Sequence, residues 1–216
     1  MAKKKLKRFA ELLTFPNVFQ SLVDLRGKWH SDYFHNDNPI VLELACGRGE
    51  YTIALARRFA DQNFVGIDIK GARLWRGAKE AIESGLGNVA FLRIPIETIT
   101  NWFAGNEIDE IWITFPDPFL REGKARKRLT SPRFLSLYRQ VLKPGGLIHL
   151  KTDEPNLFAY TQQVVAAEGG VLHEIINDLY GGNPIDDTLS VQTNYERKHL
   201  DAGRTIRYLR FSLLSP

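Results

Sequence analysis

The sequence predicts an α/β fold, a doubly wound and mostly parallel sheet with helices on both faces. Three observations predict it. Short apolar runs rich in β-branched residues recur along the chain. Most are followed by a stretch with helical spacing, and glycine- or proline-containing turns fall between them. The length of 216 residues suits one domain with small additions.

The first strand is expected at 40–44, an apolar run closing in Ala45-Cys46-Gly47-Arg48-Gly49. In 51–59, Ile53, Leu55, Ala56 and Phe59 fall on one helical face. A buried strand at 64–69 and a helix at 72–84 follow, the helix broken by Gly85 and Gly87. Strands are expected at 89–94 and 108–115, and a helix at 132–142 with Ser131 as its N-cap. Lys143-Pro144-Gly145-Gly146 reads as a turn before a strand at 147–151. A helix near 157–167 and strands near 171–177 and 206–213 complete the pattern. Ligands of such sheets sit at the carboxyl ends of the strands, where the strand order reverses.

Composition narrows the function classes. Hydrophobic residues make up 44% of the chain, enough for a large core, and charged residues 25%, the average of soluble proteins. No apolar run approaches the roughly 18 residues of a membrane span. No apolar segment follows the basic N-terminus, so a secretory signal is not expected. The one cysteine, Cys46, excludes an intrachain disulfide and argues against structural zinc. These features fit a cytoplasmic protein without a metal; monomer and homodimer both remain open.

The formal net charge of +4 is modest, but its distribution is uneven. Lys3, Lys4, Lys5, Lys7 and Arg8 open the chain, within a basic extension taken as residues 1–35 ahead of a main domain at 36–216. Arg121, Lys124, Arg126, Lys127 and Arg128 form a second cluster, opposed only by Glu122. Clustered cations on a balanced chain point to a polyanionic partner. The first cluster reads equally well as a solvated arm.

Two acids mark a cofactor site. Glu43 precedes Gly47 by four residues, and Asp68 closes the second expected strand 19 residues past Gly49. A carboxylate at Asp68 suits the two hydroxyls of a ribose. The dinucleotide pattern Gly-x-Gly-x-x-Gly/Ala fails, because Thr52 stands at its sixth position counted from Gly47. Glu43 suits a cationic ligand rather than a diphosphate. Together these residues favour S-adenosylmethionine over a nicotinamide cofactor, with Glu43, Gly47, Gly49 and Asp68 around it. Cys46 reads as a small packing residue.

The fourth expected strand runs into Thr114-Phe115-Pro116-Asp117-Pro118-Phe119. Prolines on both sides restrict the backbone and hold the Asp117 carboxylate near the cofactor. The segment from Phe115 to Leu129 resembles the bacterial tRNA (guanine-N7)-methyltransferase family. So do Leu129-Thr130-Ser131-Pro132-Arg133-Phe134-Leu135, Leu142-Lys143-Pro144-Gly145-Gly146, Lys151-Thr152-Asp153 and Thr193-Asn194-Tyr195-Glu196. The likeness spans roughly residues 40 to 210.

It implies the class I methyltransferase fold with a seven-stranded sheet. It implies S-adenosylmethionine at Glu43 and Asp68, with Asp117 as the catalytic residue and a second cofactor contact. It also implies a tRNA guanine, at position 46 in the variable loop, facing Arg121, Asp153, Thr193, Asn194, Tyr195 and Glu196. Lys124, Arg126, Lys127 and Arg128 are expected on tRNA phosphates. The family often has Lys where Arg121 stands, Trp where Phe119 stands and Gly where Ala45 stands. Its acid after the third strand is replaced by Pro95, which makes backbone at Ile96 or the nearby Glu97 the candidate adenine contact.

Overall fold

The computed structural model describes residues 2–21, 24–182 and 185–214, with side chains from Leu6 onward. The side chains of Lys3, Lys4 and Lys5 lie outside the described residues. The chain runs α1 (Ala2–Leu12), β1 (Val18–Phe19), β2 (Ile40–Leu44), α2 (Glu50–Arg58), β3 (Asn63–Ile67), α3 (Gly71–Glu83) and β4 (Val89–Leu92). It continues with β5 (Ile108–Thr114), α4 (Pro132–Arg139), β6 (Leu142–Thr152), α5 (Pro155–Ala167), β7 (Val171–Ile176), α6 (Asn194–Asp201) and β8 (Arg207–Ser212). A π-helical turn at Trp29–Phe34 and 3-10 turns at Ile96–Asn101 and Glu122–Lys127 fill connections.

Eight strands form one sheet in the order β1-β4-β3-β2-β5-β6-β8-β7. The pairs from β1 to β6 are parallel; β8 inserts antiparallel between β6 and β7. Seven strands were expected. The eighth is β1, a two-residue edge that extends the sheet beyond β4. All five residues of β2 and of β3 are buried, because the sheet is covered on both faces. After β4 the chain crosses back to the far side of β2, so the order reverses between β2 and β5. A crevice opens there, at the carboxyl ends of those two strands.

The lead-in packs on this body. Trp29 is fully buried, stacks on Phe103 with centroids 5.3 Å apart and donates its indole N–H to the Trp102 carbonyl at 2.9 Å. Helix α1 lies along α3: Leu12 is buried, Trp75 donates to Glu11 at 2.6 Å, and the Arg8 guanidinium sits 4.7 Å from the Trp75 ring centroid. Leu6 and Leu13 remain exposed.

Two local expectations shift. Residues 143–146 do not separate two elements; they bulge within the 11-residue β6. The register jumps there from Ile108 opposite Leu142 to Glu110 opposite Leu147. Ser131 does occupy the N-cap position of α4, but its hydroxyl donates to the Arg126 carbonyl instead of capping the helix.

Candidate active site

A cavity of about 350 Å³ lies at the reversal of strand order. One wall is the turn after β2, with Glu43, Ala45, Cys46, Gly47 and Arg48. Thr114 and Phe115 close β5 beside it. The opposite wall is the start of α6, with Thr193, Asn194 and Tyr195. Segments about 150 residues apart in sequence thus meet around one space, and five of the residues expected from sequence line it: Glu43, Gly47, Thr193, Asn194 and Tyr195.

The turn after β2 is built from left-handed backbone. Ala45, Gly47 and Gly49 have φ of 57°, 59° and 69°. A Cβ at Gly47 would touch only the Ala45 carbonyl oxygen, at 4.0 Å, and Gly47 lines the cavity. Gly49 has a different purpose. A Cβ there would lie 2.6 Å from the Phe91 ring, and Gly77 of α3 packs against it, so Gly49 lets α2 and α3 approach. Gly49 does not itself line the cavity. Ala45 carries strain that glycine would avoid. Ala45→Gly is expected to raise stability by about 1 kcal/mol, measured as an increased urea midpoint at unchanged slope.

Glu43 is 5% exposed and fully engaged. It accepts hydrogen bonds from the Thr52 amide at 2.9 Å, the Thr52 hydroxyl and the Thr114 hydroxyl at 2.8 Å. Burial pushes its carboxyl up to about 7 against the three hydrogen bonds that favour the charged form. In the unfolded chain the group returns to its ordinary 4.5. Between those pH values the folded protein holds a proton that the unfolded chain has released. Stability therefore falls as pH rises through this window, by up to about 3 kcal/mol. Glu43→Gln is expected to flatten that decline in denaturant titrations at pH 5 and pH 8.

Asp68 sits just outside the cavity wall, 7% exposed. Its two oxygens accept from the amides of Gly47 at 2.9 Å and Lys70 at 2.7 Å, bracing the glycine turn and the start of α3. Each oxygen keeps a second lone pair for a ribose hydroxyl. Cys46 is buried, and burial pushes its thiol well up, which suits a packing residue. Pro95 is exposed and leads into the 3-10 turn; Ile96 packs on the core, and neither lines the cavity.

Asp117 is exposed, two residues beyond Phe115. One oxygen accepts from the Phe119 amide at 3.2 Å. Phe115 and Phe119, on either side of Pro-Asp-Pro, have φ of 48° and 42°. Left-handed backbone at two aromatic residues is costly and holds the segment in an unusual path. Arg128 helps to hold it. Of the four cations expected on phosphate, Arg128 alone is turned inward. It is 9% exposed, donates to the carbonyls of Pro118 and Phe119 at 3.1 Å each and lies 4.2 Å from the Tyr160 ring. Arg128 is thus engaged with the Pro-Asp-Pro segment, whereas Arg121, Lys124, Arg126 and Lys127 are exposed.

Two more of the residues expected at the base are paired within the protein. Glu196 is fully buried, 2.8 Å from the Lys151 ammonium and 2.7 Å from the Tyr180 hydroxyl. It reaches inward from α6 to the sheet. Asp153 accepts from His199 at 2.8 Å and Arg204 at 2.7 Å on one oxygen. Thr193 caps α6 by accepting from the Glu196 amide at 3.1 Å, and Glu50 ties down Asn194 through its amide and side chain at 2.7 and 2.6 Å. Tyr195 remains half exposed; its ring stacks on His199 at 4.0 Å and lies 5.3 Å from Phe115. The sequence reading missed Arg48, Glu50, Arg73, Thr114, Phe115 and Lys198 in the cavity wall. The Thr-x-x-Glu spacing at 193–196 was a signal for the start of α6.

The fold and this crevice define a class I S-adenosylmethionine-dependent methyltransferase. The fold likeness is to solved enzymes such as the 16S rRNA methyltransferase KamB, with TM-score 0.67 and 18% identity over 91% of this chain and 96% of that one. The 16S rRNA (adenine(1408)-N(1))-methyltransferase from Catenulisporales acidiphilia aligns at TM-score 0.63 and 18% identity, over 91% and 97%. A family model described as "Putative methyltransferase" matches residues 37–209. Relatives named tRNA (guanine-N(7)-)-methyltransferase are 54% identical in Porphyromonas gingivalis, over 94% of this chain and 87% of the relative. The one from Christiangramia forsetii is 48% identical over 98% and 99%. The chain belongs to the bacterial tRNA (guanine-N7)-methyltransferase family.

Proposed function

We propose that this protein transfers the methyl group of S-adenosylmethionine to N7 of guanine 46 in the variable loop of tRNA. It would do so in the cytoplasm, as a monomer or homodimer. The observation that carries the reading is the single cavity shared by the turn after β2 and the start of α6. One wall offers a buried acid and open backbone for the cofactor. The other offers a half-exposed aromatic ring for a base. The 54% identity to a relative named for this activity supports the choice of acceptor.

The cofactor, when bound, supplies an already activated sulfonium methyl. The residues here would bind and orient. Glu43 would face the cationic amino group of the methionine moiety, Gly47 would offer backbone, and Asp68 would take the ribose hydroxyls. A cation beside Glu43 favours its charged form, so cofactor affinity is expected to weaken as pH falls below about 7. Calorimetric titration from pH 6 to 8 checks this, and Glu43→Gln should remove the dependence.

Guanine N7 carries a free lone pair, so no proton must leave before attack. The methylated ring is a cation, and a carboxylate held beside it stabilises the charge as it develops. Of three candidates, Glu196 is sealed against Lys151 and Asp153 is held by His199 and Arg204. Asp117 is the exposed one, on a constrained backbone. Orientation in such a site supplies on the order of 7–11 kcal/mol at best.

The direct test incubates the protein with unmodified tRNA and methyl-labelled S-adenosylmethionine, then maps the label. N7-methylguanosine in the variable loop is the expected product. Label at another atom, or none despite cofactor binding, overturns the reading.

A further inference from the structure

Three cations in the cavity wall have no role in the account above. Arg48 stands in the turn after β2, Arg73 in the first turn of α3 and Lys198 on α6. All three are exposed. Among the described residues, the side chains of Arg73 and Lys198 make no hydrogen bond or ion pair. Arg48 reaches only Glu50, at 3.9 Å, and the Glu50 oxygens are already occupied by Asn194. Three separate elements thus bring three under-used positive charges to one opening.

We propose that Arg48, Arg73 and Lys198 form a phosphate-gripping rim that holds the RNA backbone on either side of the nucleotide whose base enters the cavity. This rests on the RNA reading proposed above. A base taken out of its stack needs an aromatic or apolar partner inside a pocket. Tyr195 offers one, held from behind by His199 and Phe115. The phosphates of that nucleotide then stay at the mouth, where cations without competing partners bind them best. The arginine forks can each take two phosphate oxygens, and Lys198 acts as a mobile point charge.

The carboxylate of the cofactor is the other oxyanion that such a rim could take. It carries one charge, and the amides of the turn at the N-terminus of α2 can serve it. Cations on α3 and α6 exceed that need. The rim is also distinct from the loop at Glu122–Lys127, none of whose residues line the cavity.

The test uses the full chain with Arg73→Gln, Lys198→Gln and the double variant. Arg76→Gln, exposed on the same helix but outside the cavity wall, is the control. Unmodified tRNA binding is read by fluorescence anisotropy from 50 to 200 mM salt, and S-adenosylmethionine binding by calorimetry. The double variant is expected to bind tRNA about tenfold more weakly. The slope of log affinity against log salt should shrink by about one for each cation removed, with cofactor affinity within about twofold of wild type. An unchanged slope with unchanged tRNA affinity overturns the rim. So does a tenfold loss of cofactor affinity with an unchanged slope, which would assign these cations to the cofactor carboxylate. A wild-type protein that yields no N7-methylguanosine would sink the reading above; the binding arm still decides the rim, because it needs no turnover.

Discussion

Lys151→Met is expected to destabilise the fold by about 3–5 kcal/mol, because it strips the partner from a carboxylate sealed away from water. Lys151 and Glu196 are both 0% exposed and 2.8 Å apart. Burial draws the Lys151 ammonium downward, and Glu196 pulls it back up. The ammonium also donates to the carbonyls of Leu189 and Val191 at 3.2 and 3.1 Å. One side chain on β6 therefore secures both the loop before α6 and α6 itself. In a chain of this size the melting temperature should drop by roughly 6–20 °C. The variant should also lose binding at the Thr193–Tyr195 wall, since α6 is no longer tied to the sheet. Pairing it with Glu196→Leu is expected to recover part of the stability, because no unpaired charge then remains. A double variant as unstable as the sum of the two single ones would show that the ion pair is not what holds this region.

Asp117→Asn is expected to lower kcat by about 10²–10³, equivalent to roughly 3–4 kcal/mol of transition-state stabilisation, with little change in cofactor affinity. Asparagine keeps the size and can still accept from the Phe119 amide, so the backbone between Phe115 and Phe119 should hold. What is lost is the negative charge near a ring that becomes cationic. A carboxylate serving only as a turn residue would give a variant with normal single-turnover rates and a small stability loss. Full turnover in Asp117→Asn would remove Asp117 from the chemistry. A raised KM with unchanged kcat would assign it to binding alone.

The alternation of strands and helices was legible because each element declares its period locally. β2, β3, β4 and β5 begin or end within two residues of their expected bounds. The glycine turn, the acids Glu43 and Asp68 and the Pro-Asp-Pro segment were legible for the same reason: each is a short motif at the end of a strand, and the fold class places strand ends at the crevice. The basic cluster was legible as charge, but not as direction. Nothing local separates Arg128, which turns in to the carbonyls of Pro118 and Phe119, from Lys127, which stays exposed.

The sequence by itself therefore determined the α/β class, the end of the sheet where the crevice opens, and Glu43 and Gly47 in its wall. Tertiary structure alone decided what each charged group does. Glu196 pairs with Lys151 across 45 residues, and Asp153 with Arg204 across 51. Gly49 meets Gly77 and Phe91 only because α2 and α3 pack on the same sheet. The physical reason is that a charge or a missing side chain has no fixed meaning until its neighbours are known. Burial and pairing, which set whether a carboxylate holds a fold together or faces a ligand, arise from contacts distant in the chain.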